Sequence, residues 1–212
     1  MTAGWRTDAA AWWASPAWRD YEVLYDGAPG ARTRLLAEAT WRTRIVDLVS
    51  SEAELWRGVR KSYRSLIHRA RERYEFSVGG VDAVMLARLI HREVAGRETR
   101  PKATWHLMAD WIEQRSGLVV IGHSRLSGQG EAFAYFLMNG TWAYYASGAS
   151  VDDNVQHAVI WYSLLALKAR GIRWAELGWQ GQATDDKGRG IEMFRRGWGG
   201  VDVSARLDGC TT

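Results

Sequence analysis

Residues 117–150, GLVVIGHSRLSGQGEAFAYFLMNGTWAYYASGAS, carry the clearest structural signal in the chain. Leu118 to Leu126 is apolar and β-branched, Glu131 to Asn139 follows, and Thr141 to Ser147 comes next. Short runs of this kind, rich in β-branched and aromatic side chains, form strands. Asn139-Gly140 supplies the two-residue turn that closes a hairpin. Three consecutive antiparallel strands are expected. Beyond them, Asp152 to Arg170 reads as an amphipathic helix ending at Gly171. Arg173 to Trp179 reads as a strand and Gly178 to Gly190 as a polar, glycine-rich loop. Ile191 to Arg196 is a short helix or turn, and Val201 to Leu207 a final strand.

Before this stretch the texture is helical. Ser50 or Ser51 can cap a helix with Glu52 and Glu54 at its positive end. Leu55, Val59, Tyr63, Leu66, Ile67, Ala70 and Tyr74 recur at helical spacing, which predicts one long helix reaching Tyr74. Phe76 to Val78 is a short strand, Gly79-Gly80 a break, and Asp82 to Val94 and Thr104 to Arg115 two more helices. A charged loop around Arg97 to Lys102 separates them. Earlier still, residues 1–20 predict one short helix. Glu22 to Leu24, Leu35 to Trp41 and Ile45 to Val49 predict short strands around the turn at Asp26 to Gly30. Helices, antiparallel strands, a crossover helix, a strand, a loop and a strand make an α+β domain with a mixed sheet and helices on its faces. Periodicity alone leaves several such folds open.

The 212 residues suit one domain, or one domain with an extension. Apolar residues make up 47% and charged residues 25%, enough to bury a core without disulfide or metal staples. The single cysteine, Cys210, excludes an intramolecular disulfide and a cysteine-based zinc site. No run approaches the roughly 18 apolar residues of a membrane span, and residues 1–10 lack the pattern of a secretory signal. A soluble, cytoplasmic protein is expected, monomeric or homodimeric. The net charge of +4 permits phosphate or RNA binding without demanding it. The thirteen tryptophans either fill a core and line one groove, or form a stacking surface for bases or sugars.

Two segments narrow the choice. Glu54 to Ala70, ELWRGVRKSYRSLIHRA, places Trp56, Lys61, Arg64, Ile67 and Ala70 in a W…K..R..I..A arrangement. Gly190 to Gly200, GIEMFRRGWGG, closes on Phe194, Arg195 and Trp198. Between them Tyr144 to Ser150 reads YYASGAS. In this order the segments resemble the Fem family of aminoacyl-tRNA-dependent transferases, over about residues 45–206. The resemblance implies a GNAT-like α+β fold. Family members usually carry two tandem domains of this kind. The match implies a Fem-like domain over 51–212 preceded by a segment, 1–50, left from a first half. The family has Lys where Arg195 stands and Phe where Trp198 stands.

The resemblance also implies transfer of an aminoacyl group from its tRNA ester to an amine. No tightly bound cofactor is needed: aminoacyl-tRNA is a co-substrate, with acyl-CoA as the alternative, and a cell-wall precursor or a small natural product the acceptor. An acyl-CoA-dependent transferase of amino sugars or small amines, and a non-catalytic RNA- or glycan-binding domain, are the competing readings. Amide formation this way needs a hold on a polyanionic donor, a stabiliser for the tetrahedral oxyanion and a route for the amine's proton.

Arg60, Lys61, Arg64, His68 and Arg71 can form one basic stripe to hold the donor, or simply a solvated helix surface. Arg195 is the first candidate for the oxyanion, against a surface role or a pair with Glu192. Asp185 leads the candidate bases, ahead of Asp186, Asp153, Glu176 and His123, although Asp-Asp before Lys-Gly is also ordinary turn chemistry. One of Tyr144 and Tyr145 faces the core and the other can reach substrate. Trp179, Gln180 and Gln182 can read an acceptor, while Phe194 and Trp198 shape its pocket. The five histidines show no metal spacing, so no metal is expected. The segment Ser147 to Asn154 lacks the basic residue and second glycine of a pyrophosphate loop, and two aspartates there repel phosphate.

Overall fold

The structure is a computed structural model that describes residues 23–25, 40–152, 154–180 and 183–207. The helix expected in 1–20 lies outside these residues, as do Asp153, Gln182 and most of the Leu35 to Trp41 strand. Among the described residues eight strands form one sheet: β1 (Val23–Tyr25), β2 (Thr40–Asp47), β3 (Tyr74–Gly79), β4 (Gly117–Ser124), β5 (Gly130–Asn139), β6 (Trp142–Ser150), β7 (Trp174–Gln180) and β8 (Val201–Leu207). Their order is β1-β8-β2-β7-β6-β5-β4-β3. Every neighbouring pair is antiparallel except β6 and β7. The helices are α1 (Glu52–Gly58), α2 (Lys61–Arg73), α3 (Val81–Ala95), α4 (Lys102–Glu113), α5 (Val155–Ala169) and α6 (Asp186–Arg196).

The sheet divides two apolar layers. On one face α5, buried at Val155, Ala158, Val159, Trp161 and Leu164, packs with Tyr63 and Ile67 of α2 against Leu118, Val120, Ala134 and Phe136. On the other, Val84, Ala87 and Ile90 of α3 and Trp105, Met108 and Trp111 of α4 cover Val119, Ile121, Phe133 and Tyr135. The strict alternation along β4 and β5 feeds both layers, as a doubly covered sheet requires. Burying each of these large side chains contributes about 1.5–3 kcal/mol before entropy is counted. Several tryptophans serve this core: Trp105, Trp111, Trp161 and Trp198 are fully buried. Among the described residues no helix is long and apolar enough to cross a membrane.

The three antiparallel strands and the α+β order match expectation. Three elements differ. The long helix of 51–74 is two helices. Ser51 caps the first with a full capping box to Glu54. The chain then leaves helical geometry at Val59 (ψ 132°) and Arg60 (ψ 137°). Periodicity continues through the break because both helices bury the same stripe. The break comes from tertiary contact: Val59 is buried and the Arg60 N–H donates to the Gly197 carbonyl at 2.8 Å. The loop expected up to Gly190 is helical from Asp186, since the Asp185 carboxylate accepts the Gly188 N–H at 2.7 Å. The crossover helix starts at Val155 rather than Asp152, whose carboxylate accepts the Asn154 N–H at 2.9 Å.

Candidate functional site

The parallel pairing of β6 with β7 lasts for three residue pairs, Trp142 with Trp174, Ala143 with Ala175 and Tyr144 with Glu176. Beyond Tyr144 the two strands part. Bulges sharpen the opening: the β5–β6 register slips between Tyr135 and Phe136, leaving Ala146 without an opposite residue, and the β2–β7 register slips between Arg44 and Ile45. The result is a notch inside the sheet, with a strand edge on each side.

Gly178 stands on the β7 wall at φ +103°. A β-carbon there would lie 2.9 Å from the Arg195 guanidinium. The glycine therefore serves both the left-handed backbone and the seat of Arg195. Arg195 comes from α6, whose capped start and closing turn fix its position. At that turn Phe194 and Trp198 join Tyr63 and His157 in an aromatic cluster, with ring centroids 4.3–6.1 Å apart. The Tyr63 hydroxyl reaches the Met193 carbonyl at 3.4 Å.

Tyr144 and Tyr145 start the β6 wall. Burial pushes both phenols up. For Tyr144 the nearby Glu176 carboxylate adds to this, while Arg195 and Arg100 oppose it. For Tyr145 burial outweighs Arg195, the Gln156 amide and Arg100, and the phenol is pushed up to about 12. Both hydroxyls are protonated donors at neutral pH. The Gln156 amide nitrogen of α5 meets the Tyr145 hydroxyl at 3.2 Å and the Phe133 carbonyl at 3.2 Å. Glu176 is buried and accepts from the Thr43 hydroxyl at 2.7 Å. Arg100 enters from the α3–α4 loop, donating to the Ala146 carbonyl at 3.3 Å with its guanidinium over the Trp105 ring at 5.7 Å. Ser147 Oγ, Gln156 Oε1 and Gln180 Nε2 are buried with no hydrogen-bond partner among the described residues. Native interiors pair such atoms, so the notch retains polar capacity for a bound group.

The sequence candidates fall into three sets. Arg195, Tyr144 and Tyr145 interact electrostatically at the notch, with Glu176. Gln180 ends β7, buried, its amide oxygen held by the Arg196 guanidinium at 3.0 Å. Phe194 and Trp198 are packing residues that hold α6. The side chain of Trp179 lies outside the described residues. Lys61, Arg64, His68 and Arg71 follow one face of α2, where Lys61 and His68 are exposed and Arg64 half-buried. His68 faces the Trp56 ring at 5.4 Å and, with Arg71 and Trp161, lines an open cavity of about 430 Å³. The Arg60 backbone ties the start of this stripe to the α6 turn. Asp185 is exposed and its carboxylate caps α6. His123 stands on β4 in register with Glu75 of β3, away from the notch.

Sequence reasoning missed Arg100, Gln156 and Ser147. Arg100 reads as one charge in a charged loop, and only the β6 bulge gives it a partner. Gln156 lies in the first turn of a helix that periodicity alone recognises by its apolar side. A serine in a strand carries no signal of its own.

No protein-family description matches the chain, and no curated protein matches its sequence. Solved structures do share its fold. FemX aligns with a TM-score of 0.65 and 12% identity, over 87% of this chain and 65% of its own. L-PGS from Bacillus licheniformis aligns at 0.55 and 14%, over 88% and 60%. The C-terminal domain of a putative lysylphosphatidylglycerol synthetase from Agrobacterium fabrum aligns at 0.53 and 15%, over 80% and 60%. The chain thus spans 60–65% of the length of these structures. The likeness is one of fold, and the fold is the GNAT-like α+β architecture that the Fem resemblance implied.

Proposed function

We propose that the protein is a Fem-like transferase that moves an aminoacyl group from aminoacyl-tRNA to the amine of an acceptor, forming an amide. The observation that carries this reading is the meeting of Arg195, Tyr144 and Tyr145 where β6 and β7 part. These three side chains put one fixed cation and two protonated hydroxyls beside two strand edges.

In the reaction the acceptor amine attacks the ester carbonyl. A C–N bond forms, the ester C–O bond breaks, and the proton lost by nitrogen ends on the departing ribose oxygen. Charge develops on the carbonyl oxygen, where the Arg195 guanidinium and a tyrosine hydroxyl act as donors. The strand edges orient the aminoacyl chain. Lys61, Arg64 and Arg71 supply a cationic face outside the notch for the tRNA phosphates, with His68 beside them as a hydrogen-bonding ring. No acidic side chain among the described residues forms an ion pair with them. Asp185, whose carboxylate caps α6, is not needed in this proton path. A neighbour named as a putative lysylphosphatidylglycerol synthetase is in keeping with an aminoacyl donor.

The loop before α5 argues against acyl-CoA as donor. The Asp152 carboxylate takes the Asn154 N–H, the Asn154 amide and the Arg73 guanidinium, which puts an anion where a pyrophosphate would need donors. The deciding experiment incubates the protein with a mixture of charged tRNAs, or with labelled acyl-CoA, and a panel of amines, and reads the products by mass spectrometry. Amide products from tRNA alone support the proposal. Products from acyl-CoA alone would transfer the activity to the other donor, and products from neither would leave a binding domain.

A further inference from the structure

The side chains of Tyr145 and Gln156 meet across Gly148. A β-carbon at Gly148 would run into the Tyr145 hydroxyl and the Gln156 amide, so the pair needs glycine beneath it. Phe136 steadies the Tyr145 ring, with centroids 5.3 Å apart. Gln156 stands in the first turn of α5. Its amide nitrogen reaches the Phe133 carbonyl of β5 and the Tyr145 hydroxyl oxygen, each at 3.2 Å.

These two contacts fix the direction of a hydrogen. A carbonyl only accepts, so the amide must turn its nitrogen, and not its oxygen, toward Phe133. That nitrogen has two hydrogens, one for the Phe133 carbonyl and one for Tyr145. The phenol oxygen is thus an acceptor toward Gln156, and its own hydrogen lies on another side. Among the described residues that hydrogen meets no acceptor. The phenol is half-buried, so a ligand oxygen can reach it. Tyr144 stands differently: it has interactions of its own within the protein, and the Glu176 carboxylate bears on its phenol.

We propose that Gln156 is a positioning residue: by donating to the Tyr145 oxygen it turns the phenol hydrogen toward the carbonyl oxygen of the bound ester. Tyr145, rather than Tyr144, is then the hydroxyl that acts with Arg195. No proton is transferred. The hydroxyl keeps its hydrogen while negative charge passes onto the carbonyl oxygen, and the bond relaxes when the ester C–O bond breaks. The catalytic part rests on the transfer reading above; the direction of the hydroxyl does not.

The test has two arms. Neutron diffraction from deuterated protein reads the direction without catalysis. The Gln156 nitrogen should carry deuterons toward Phe133 and Tyr145, and the Tyr145 deuteron should point away from Gln156. The second arm measures transfer and melting temperature. Tyr145→Phe should lower kcat about a hundredfold, the scale for losing one oxyanion donor, with KM for the tRNA little changed. Tyr144→Phe should cost less. Gln156→Glu is nearly isosteric but only accepts, so it draws the phenol hydrogen back; kcat should fall most of the way to the Tyr145→Phe level. Gln156→Met leaves the hydrogen undirected and should lose less than Gln156→Glu. Once Tyr145 is Phe, Gln156→Glu should have little further effect.

A Tyr145 deuteron lying between the phenol and the Gln156 amide would overturn the proposal. So would wild-type kcat in Gln156→Glu, or losses from Tyr145→Phe and Gln156→Glu that multiply, since a merely structural role predicts independent effects. Should Gln156→Glu fail to fold, Gln156→Met and the deuteron positions decide. An outward deuteron in a protein that transfers from no donor would keep the orientation and remove the transfer reading. Transfer that survives Tyr145→Phe undiminished would keep that reading and remove Tyr145 from it.

Discussion

The Arg195 guanidinium lies across Gly178, 2.9 Å from the place a β-carbon would take. A residue from the last helix is thereby seated on the strand that forms one wall of the notch. Gly178→Ala meets two penalties. The left-handed backbone costs about 1–2 kcal/mol in a residue with a side chain, and the new methyl pushes the guanidinium aside. Turnover should fall at least tenfold while the melting temperature drops by only a few degrees, as followed by transfer assay and thermal denaturation.

Arg195→Ala should lower kcat roughly 10²-fold or more, the scale for losing a donor to a developing oxyanion. Arg195→Lys should recover part of it, since ammonium retains the charge and loses the fork. Neither should change the fold, because the aromatic cluster of Tyr63, His157, Phe194 and Trp198 anchors the turn without Arg195.

Lys61→Ala with Arg64→Ala should act on donor affinity. KM for aminoacyl-tRNA should rise roughly tenfold with kcat little altered. The dependence of binding on salt should also become shallower, by about one counter-ion for each cation removed. Titrations of tRNA binding at several salt concentrations check this.

Gly197 holds the joint between the two ends of the domain. Its backbone is ordinary (φ −67°), yet a β-carbon there would fall within the Tyr63 ring. Gly197→Ala should destabilise by about 1–3 kcal/mol through overpacking. Because the cause is one neighbour, Gly197→Ala with Tyr63→Leu should cost less than the sum of the separate changes, with a coupling of about 0.5–3 kcal/mol in denaturant titrations.

His91 gives the fold a dependence on acidity. Packed against Trp105 and Phe133, it is depressed below its ordinary value by burial, with Arg100 adding to the effect. The unfolded chain then binds a proton below about pH 6.5 that the folded chain refuses. Its contribution is complete above that pH and is lost as pH falls toward the depressed value. His91→Gln should flatten the decline in melting temperature between neutral and mildly acidic pH. Tyr145, pushed up to about 12, stays protonated across the working range, so no alkaline limb of activity below pH 10 should come from it.

Much of the architecture was legible because its signals are local. Alternation in 118–138, the Asn139-Gly140 turn, the Ser51 cap and Gly171 each speak through a few residues. The YYASGAS segment and the Phe194-Arg195 unit located two sides of the notch. The remainder depends on contacts between distant parts of the chain. The break at Val59 and Arg60 comes from Gly197, more than a hundred residues away. Asp185 reads equally well as a base or as a cap until α6 is seen to begin beside it. Arg100 joins the site only because the Ala146 bulge turns a carbonyl toward it.

The parting of β6 from β7 is a property of the backbone ladder, and it divides substitutions at the site into two kinds. A change to a side chain along the rim alters what the opening can hold. A change at Gly178, where the backbone stands at φ +103°, alters the opening itself.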